Sequence, residues 1–244
     1  MTVTELEEKF AVPGVMRFKE TASGLAYLLV TAPSAQATIC MYGAHLTHWK
    51  PTGQQLAIFL SERTDIVPGV PIRGGVPIIF PWFGPRHDGK EGPLHGFARL
   101  EIWELESAVV VGDEVHLMLT LGANETSRAL GFDHFRLTYR VLVGKTLTLE
   151  LTGKIDRVYR NTTATCTIDD TVAKRKITVA KENSQTTVVW NPWSDGAATI
   201  KDLAPDAWRG MLCVETANVG ESAVTLAPGA SHTLRATYSI EGTR

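Results

Sequence analysis

The sequence predicts an all-β fold, either a sandwich or a barrel of antiparallel strands. Two observations carry this prediction. Short runs of alternating polar and apolar residues recur along the chain between clusters of Gly, Pro, Asn and Asp, and helical periodicity is almost absent. No internal repeat and no Gly/Ser-rich linker divides the chain, so we expect a single domain over residues 1–244.

The clearest strand pattern covers residues 114–121, where Val115, Leu117 and Leu119 point to one face. Residues 135–143 and 146–151 repeat this alternation on either side of a Gly-Lys turn, which predicts a β-hairpin. We expect further strands at residues 24–31, 37–42, 164–168, 176–180, 186–190 and 233–240, a short helix at 127–130 and a single helical turn at 206–209.

The segment Pro68–Pro85 does not match a strand, because it is rich in proline and glycine. Proline has no N–H to donate to a β-ladder, so we expect an irregular, stiff segment that crosses a sheet edge or lines a cleft. Ordered segments of this kind often present binding groups.

The composition limits the classes of function. The net charge is −2, which gives no general attraction to nucleic acid or to an anionic membrane. The three cysteines, at positions 40, 166 and 213, show no zinc-site spacing and are expected to be reduced core thiols of a cytoplasmic protein. The N-terminus has no apolar core of the kind that a signal peptide carries.

Three segments carry candidate functional residues. Arg73 precedes two glycines, so its planar donor group could meet a phosphate or carboxylate closely, or could instead pair with a structural carboxylate such as Asp65. His95 and Arg99 flank Gly96 and could contact a sugar, although a lone histidine is often structural. Glu215 lies in an apolar run that would raise its pKa, as a general base requires, unless it lies on the solvent side of an edge strand.

Known cofactor motifs are absent from the sequence. It has no phosphate-binding P-loop, no dinucleotide fingerprint, and no histidine spacing typical of a metal site. We therefore expect neither a metal nor another cofactor.

Taken in order, the motifs RGGVP, PWFG, HGFAR, VWNPW and CVETANV resemble the hexose-6-phosphate mutarotases, a branch of the aldose 1-epimerase superfamily. The resemblance implies a galactose mutarotase-like β-sandwich, or supersandwich, that interconverts the α and β anomers of a hexose 6-phosphate. It also implies catalytic roles for Glu215 and His95, and substrate contacts for Arg73, Arg99 and Asp156. We expect a monomer without nucleic-acid or membrane partners.

One segment departs from the pattern of that family. Its members carry an acid histidine, in a motif of the type Leu-His-Thr-Tyr-Phe, between the strand that ends near Leu151 and the segment that begins at Ile155. Here the chain connects the two directly, which indicates an internal deletion near residues 152–155 and the absence of some strands of the fold. The alternatives are an epimerase in which His95, His134 or another group replaces the acid, and a sugar-phosphate-binding protein with weak or no catalysis.

Overall fold

A computed structural model describes residues 1–86, 88–152 and 162–242, and in these ranges the chain is mostly antiparallel β-structure. The strands are β1 Met16–Glu20, β2 Ala26–Thr31, β3 Ala35–Cys40, β4 His45–Pro51, β5 Glu104–Val111, β6 Glu114–Gly122, β7 Arg136–Val143, β8 Leu147–Thr152, β9 Cys166–Asp170, β10 Arg175–Glu182, β11 Thr186–Trp190, β12 Cys213–Ala217 and β13 Thr233–Gly242. The predicted all-β fold is confirmed.

The strands form three sheets. A four-stranded sheet has the order β1-β2-β3-β4, a seven-stranded sheet has the order β5-β6-β7-β8-β13-β10-β9, and β11 and β12 form a two-stranded ribbon. The last strand of the chain therefore enters the middle of the large sheet, where it pairs with β8 on one side and β10 on the other.

The main core lies between the four-stranded sheet and the first half of the large sheet. The alternation in β6 buries Val115, Leu117 and Leu119, whose side chains are at most 2% exposed. From the opposite sheet Trp49 is fully buried, and its indole N–H donates to the carbonyl of Gly144 across the core. Burial of such side chains contributes roughly 1.5–3 kcal/mol each, and this packing holds the two sheets face to face.

The second half of the large sheet has a different role. On the same face, the side chains of Ala236 and Tyr238 in β13 and of Ile177 and Val179 in β10 line a cavity below the ribbon. The register pairs Tyr238 with Val179, so these side chains form a continuous surface. One sheet thus supplies both the core and the floor of the cavity.

Within the described ranges, three short α-helices accompany the sheets: α1 Val3–Phe10, α2 Glu125–Ala129 and α3 Trp193–Thr199. A capping box formed by Thr2 and Glu5 begins α1, and Leu6 and Phe10 bury its apolar side. The Glu7 carboxylate accepts a hydrogen bond of 2.5 Å from the backbone N–H of Phe18, which belongs to the edge strand β1. Even the longest of these helices, with eight residues, lacks the length and hydropathy of a bilayer span.

The predicted strands and the hairpin are present, with bounds shifted by a few residues. The predicted helix at 127–130 corresponds to α2, and the predicted turn to a 3₁₀ helix at Ala207–Gly210. Pro68–Pro85 forms only isolated bridges, as expected of an irregular segment. The predicted deletion point falls at the border of residues 153–161, which lie outside the described residues.

Candidate active site

The candidate active site is a cavity of about 540 Å³ between the β11–β12 ribbon, the floor formed by β13 and β10, and the proline-rich segment. Four of the five residues predicted from the sequence line it: Arg73, His95, Arg99 and Glu215. They come from three separate segments of the chain, around Arg73, around His95 and Arg99, and around Glu215, so the fold brings them together. The fifth, Asp156, lies outside the described residues.

Glu215 reaches the cavity from the centre of β12, opposite Val188 of β11. Its side chain is partly buried and has no hydrogen-bond or ion-pair partner in the described ranges. Burial raises its pKa above the ordinary value for a glutamate. An unpaired carboxylate in apolar surroundings is a suitable proton acceptor, and its place in the cavity favours this role over that of a solvent-facing glutamate.

Arg73 is placed by the two glycines that follow it. Gly74 has φ +96°, and a Cβ atom there would lie 2.5 Å from the carbonyl oxygen of Phe59, so only glycine fits this position. The Arg73 Nε donates to both carboxylate oxygens of Asp202, at 3.1 Å each. The structural carboxylate is therefore Asp202 rather than Asp65. No described residue accepts a hydrogen bond from the terminal nitrogens of Arg73, which can therefore bind another acceptor.

Arg99 has a weaker set of partners. Its Nη2 donates to the carbonyl of Leu94 at 2.7 Å, and its buried Nε has no partner among the described residues. Burial and the charge of Arg73 lower its pKa to about 10, so it stays protonated at neutral pH. Two cations that face one cavity, one of them without a carboxylate in the described chain, form a site suited to an anion.

A hydrogen bond from the backbone of Gly84 fixes the neutral His95 ring in one tautomer. The backbone N–H of Gly84 donates to its Nδ1 at 3.1 Å, so the proton of the neutral ring must lie on Nε2. The ring of Phe83 packs edge-on against the imidazole, with centroids 4.8 Å apart. Burial and the charges of Arg99 and Arg73 lower the pKa of His95 to about 4. At neutral pH, His95 is a neutral hydrogen-bond donor.

His45 is a supporting residue that sequence reasoning did not single out. It is 1% exposed, and its Nε2 lies 2.8 Å from the carbonyl oxygen of Gly74, to which it must donate. A Cβ atom at Gly75 would lie 2.3 Å from the same nitrogen. His45 therefore holds the glycine pair beside Arg73. The sequence feature that could have indicated His45 is its position at the start of a buried strand, because a buried histidine needs a hydrogen-bond partner.

His134, the second histidine considered as a replacement acid, is excluded by its position. His134 is 92% exposed and lies beside Asp133 on the surface, so it is not part of the cavity. No group of three or more potential metal ligands occurs in the described part of the chain.

Comparison with known proteins shows which family this chain resembles. The aldose 1-epimerase family model matches residues 26–157 and 133–239. A candidate glucose-6-phosphate 1-epimerase of Escherichia coli is 28% identical over 275 aligned positions, which include 89% of this chain and 93% of that protein. A second, from Salmonella typhimurium, is 29% identical over 265 positions, with 85% and 90% covered. Both alignments are longer than the 244-residue chain, so both relatives have positions that face gaps here.

Solved structures agree with the sequence matches. A candidate mutarotase of Salmonella typhimurium superposes with a TM-score of 0.86 at 25% identity, over 96% of each chain. A galactose 1-epimerase of Lactobacillus acidophilus has a TM-score of 0.59 at 10% identity, over 94% of this chain and 99% of its own, and shows the same fold. The predicted galactose mutarotase-like sandwich is confirmed, and the chain belongs to the aldose 1-epimerase family of isomerases.

Proposed function

We propose that this protein interconverts the α and β anomers of hexose 6-phosphates. One observation carries the proposal: an unpaired, partly buried Glu215 faces the same cavity as two arginines and a neutral histidine. A carboxylate that accepts a proton, beside cations that hold a phosphate, matches the chemistry of a phosphorylated sugar with a free anomeric hydroxyl. The names of the aligned relatives support the same substrate class.

The mechanism begins at Glu215. Its carboxylate takes the proton of the anomeric hydroxyl, a carbonyl forms at C1, and the bond between C1 and the ring oxygen breaks. The Nε2–H of His95 donates a hydrogen bond to the ring oxygen as negative charge develops there, a role that neutral imidazole can fill. Rotation about the C1–C2 bond and reclosure on either face return the proton from Glu215. Arg73 and Arg99 hold the phosphate throughout.

The aligned relatives support the predicted deletion. Their alignments contain more positions than this chain has residues, and the family model matches in two ranges that overlap at residues 133–157. This arrangement favours a missing block close to residues 152–155 within a single domain of residues 1–244. It also favours a second candidate function, a sugar-phosphate-binding protein, because the block would carry the family's acid histidine.

The free thiols of Cys40, Cys166 and Cys213 support a cytoplasmic location. The small net charge supports a protein without nucleic-acid or membrane partners. We also propose that the protein is a monomer and that Asp156 is a further residue that contacts the substrate.

Anomer exchange separates the two candidate functions. Freshly dissolved α-glucose 6-phosphate is mixed with the protein, and the exchange is followed by NMR. An epimerase exceeds the buffer rate, and Glu215→Gln removes the excess while binding remains. Glu241→Gln, on the exposed end of β13, is the matched control and keeps the full rate. A rate equal to that of buffer, with saturable binding, rejects catalysis and leaves the binding protein.

A phosphate test examines Arg99. Arg99→Gln should weaken binding of glucose 6-phosphate roughly 10- to 100-fold, since a hydrogen bond to a charged group is worth about 1.5–3 kcal/mol. Binding of unphosphorylated glucose should change little. Equal losses for both sugars would show that Arg99 does not contact the phosphate.

A further inference from the structure

Most of the residues that line the cavity are apolar, although a sugar phosphate is a polar ligand. The cavity volume of about 540 Å³ lies in the range of roughly 300–1,000 Å³ in which proteins enclose drug-sized ligands. The polar groups of the proposed active site belong to the proline-rich segment, to residues 95–99 and to β12. The floor is formed by Ile177, Val179, Leu234, Ala236 and Tyr238, together with Tyr139 of β7. We refer to the space above these six residues as the apolar chamber.

One polar atom of the apolar chamber lacks a partner. Tyr139 is 1% exposed, and its hydroxyl makes no hydrogen bond to any described residue. A buried hydroxyl without a partner costs on the order of the hydrogen bond it forgoes, so such atoms usually mark a place that another group fills. The chamber therefore has the composition of a ligand pocket, with apolar walls and two tyrosine hydroxyls, those of Tyr139 and Tyr238, that can fix the orientation of a ligand.

The position of Glu215 indicates which end of a bound sugar would face the apolar chamber. Glu215, Tyr238 and Tyr139 all line the cavity, and Tyr238 lies near both of the others, so the three side chains lead from the proposed base into the chamber. In the proposed function, Glu215 faces the anomeric hydroxyl, while Arg73 and Arg99 hold the phosphate at the other end of the sugar. A group attached to the anomeric oxygen would therefore extend into the chamber.

We propose that the cavity binds aryl hexoside 6-phosphates, in which the sugar phosphate occupies the active site and the aryl group occupies the apolar chamber. This inference rests on the proposed function. Such a glycoside has no proton on its anomeric oxygen, so Glu215 has nothing to remove. It binds in place of the substrate without being converted.

The test compares two glycosides that differ only in the anomeric substituent. Dissociation constants are measured by titration calorimetry for phenyl and methyl β-glucoside 6-phosphate, with glucose 6-phosphate as the reference. Burial of a phenyl ring predicts that the phenyl glycoside binds at least roughly tenfold more tightly than the methyl glycoside. Ala236→Phe, which fills the chamber, should remove this difference between the phenyl and methyl glycosides.

A second measurement does not depend on whether Ala236→Phe folds. Nuclear Overhauser effects between the phenyl protons of the bound glycoside and the rings of Tyr139 and Tyr238 would place the aryl group in the chamber. If glucose 6-phosphate binds but the two glycosides bind with equal affinity, the proposal that the chamber holds the aryl group is wrong. The same conclusion follows if the phenyl protons show Overhauser effects only to other residues. If none of the three ligands binds, the proposed function itself fails, and the chamber inference fails with it.

Discussion

His45 makes the stability of the folded protein sensitive to acid. It is buried below Gly74 and Gly75, and burial lowers its pKa from 6.5 to about 4. Its Nε2–H already donates to the Gly74 carbonyl, and its Nδ1 has no acceptor among the described residues. A second ring proton would therefore be buried without a partner. We expect acid to destabilise the folded protein through this residue.

The size of the effect follows from proton linkage. In the unfolded chain His45 takes up a proton below pH 6.5, whereas in the folded chain it resists protonation until about pH 4. The unfolded state therefore binds more protons in this window, and stability falls as the pH falls. At 1.36 kcal/mol per pKa unit, His45 alone costs about 2 kcal/mol at pH 5 and about 3 kcal/mol at pH 4, relative to pH 7.5.

Urea unfolding at pH 7.5 and pH 5 measures this difference for the wild type and His45→Gln. The glutamine amide can donate to the Gly74 carbonyl but does not titrate, so the variant should lose about 2 kcal/mol less between the two pH values. His134→Gln is the control, because His134 is 92% exposed and its replacement should leave the wild-type pH dependence unchanged. Identical pH dependence in the wild type and His45→Gln would refute the argument.

Three further predictions concern the turn, the base and the core. Gly96→Ala should lower the free energy of unfolding by about 3 kcal/mol or more, because φ is +69° and the new Cβ would lie 2.0 Å from the carbonyl oxygen of Phe80. Gly112→Ala, with φ +63° and no atom within 4 Å, should cost only about 1 kcal/mol, and thermal denaturation compares the two. The raised pKa of Glu215 should place the acidic limb of the pH profile of kcat/KM above pH 4.5. The profile is measured with unphosphorylated glucose as substrate, because this sugar has no phosphate that titrates. An acidic limb at or below pH 4.5 contradicts the assignment of Glu215 as the base. Leu119→Ala should lower the free energy of unfolding by about 2–5 kcal/mol in a urea titration, and a smaller loss would mean that the two sheets pack loosely there.

Local alternation was sufficient to predict strands such as β6, which buries one face, whereas β1, β4 and β5 were not predicted. Val115 and Leu117 alternate with polar residues because β6 lies against the core, and the period of two survives in the sequence. The helix at Val3–Phe10 was not predicted, since its helical signal consists of a capping box and only two buried side chains. Pairing of β13 with β8 and β10 was also beyond prediction, because it depends on contacts between distant parts of the chain.

The site was predicted as separate residues rather than as an arrangement. Glycines beside Arg73 and His95 indicated close backbone approaches, and an isolated carboxylate in an apolar run indicated Glu215. The carboxylate that pairs with Arg73 was misidentified, because Asp202 lies far from it in sequence and only the fold brings it near. His45 was missed for a related reason: its partner is a backbone carbonyl, which leaves no pattern in the side chains.

The hydrogen bond from Phe18 to Glu7 has a consequence for self-association. An edge strand presents unpaired backbone groups that can pair with a strand of another molecule. Here a carboxylate from α1 occupies one such N–H of β1, and it places a negative charge where an incoming strand would need a carbonyl. The acidic N-terminal helix thus serves as a shield against edge-to-edge aggregation, and its loss would appear first in the solubility of the protein.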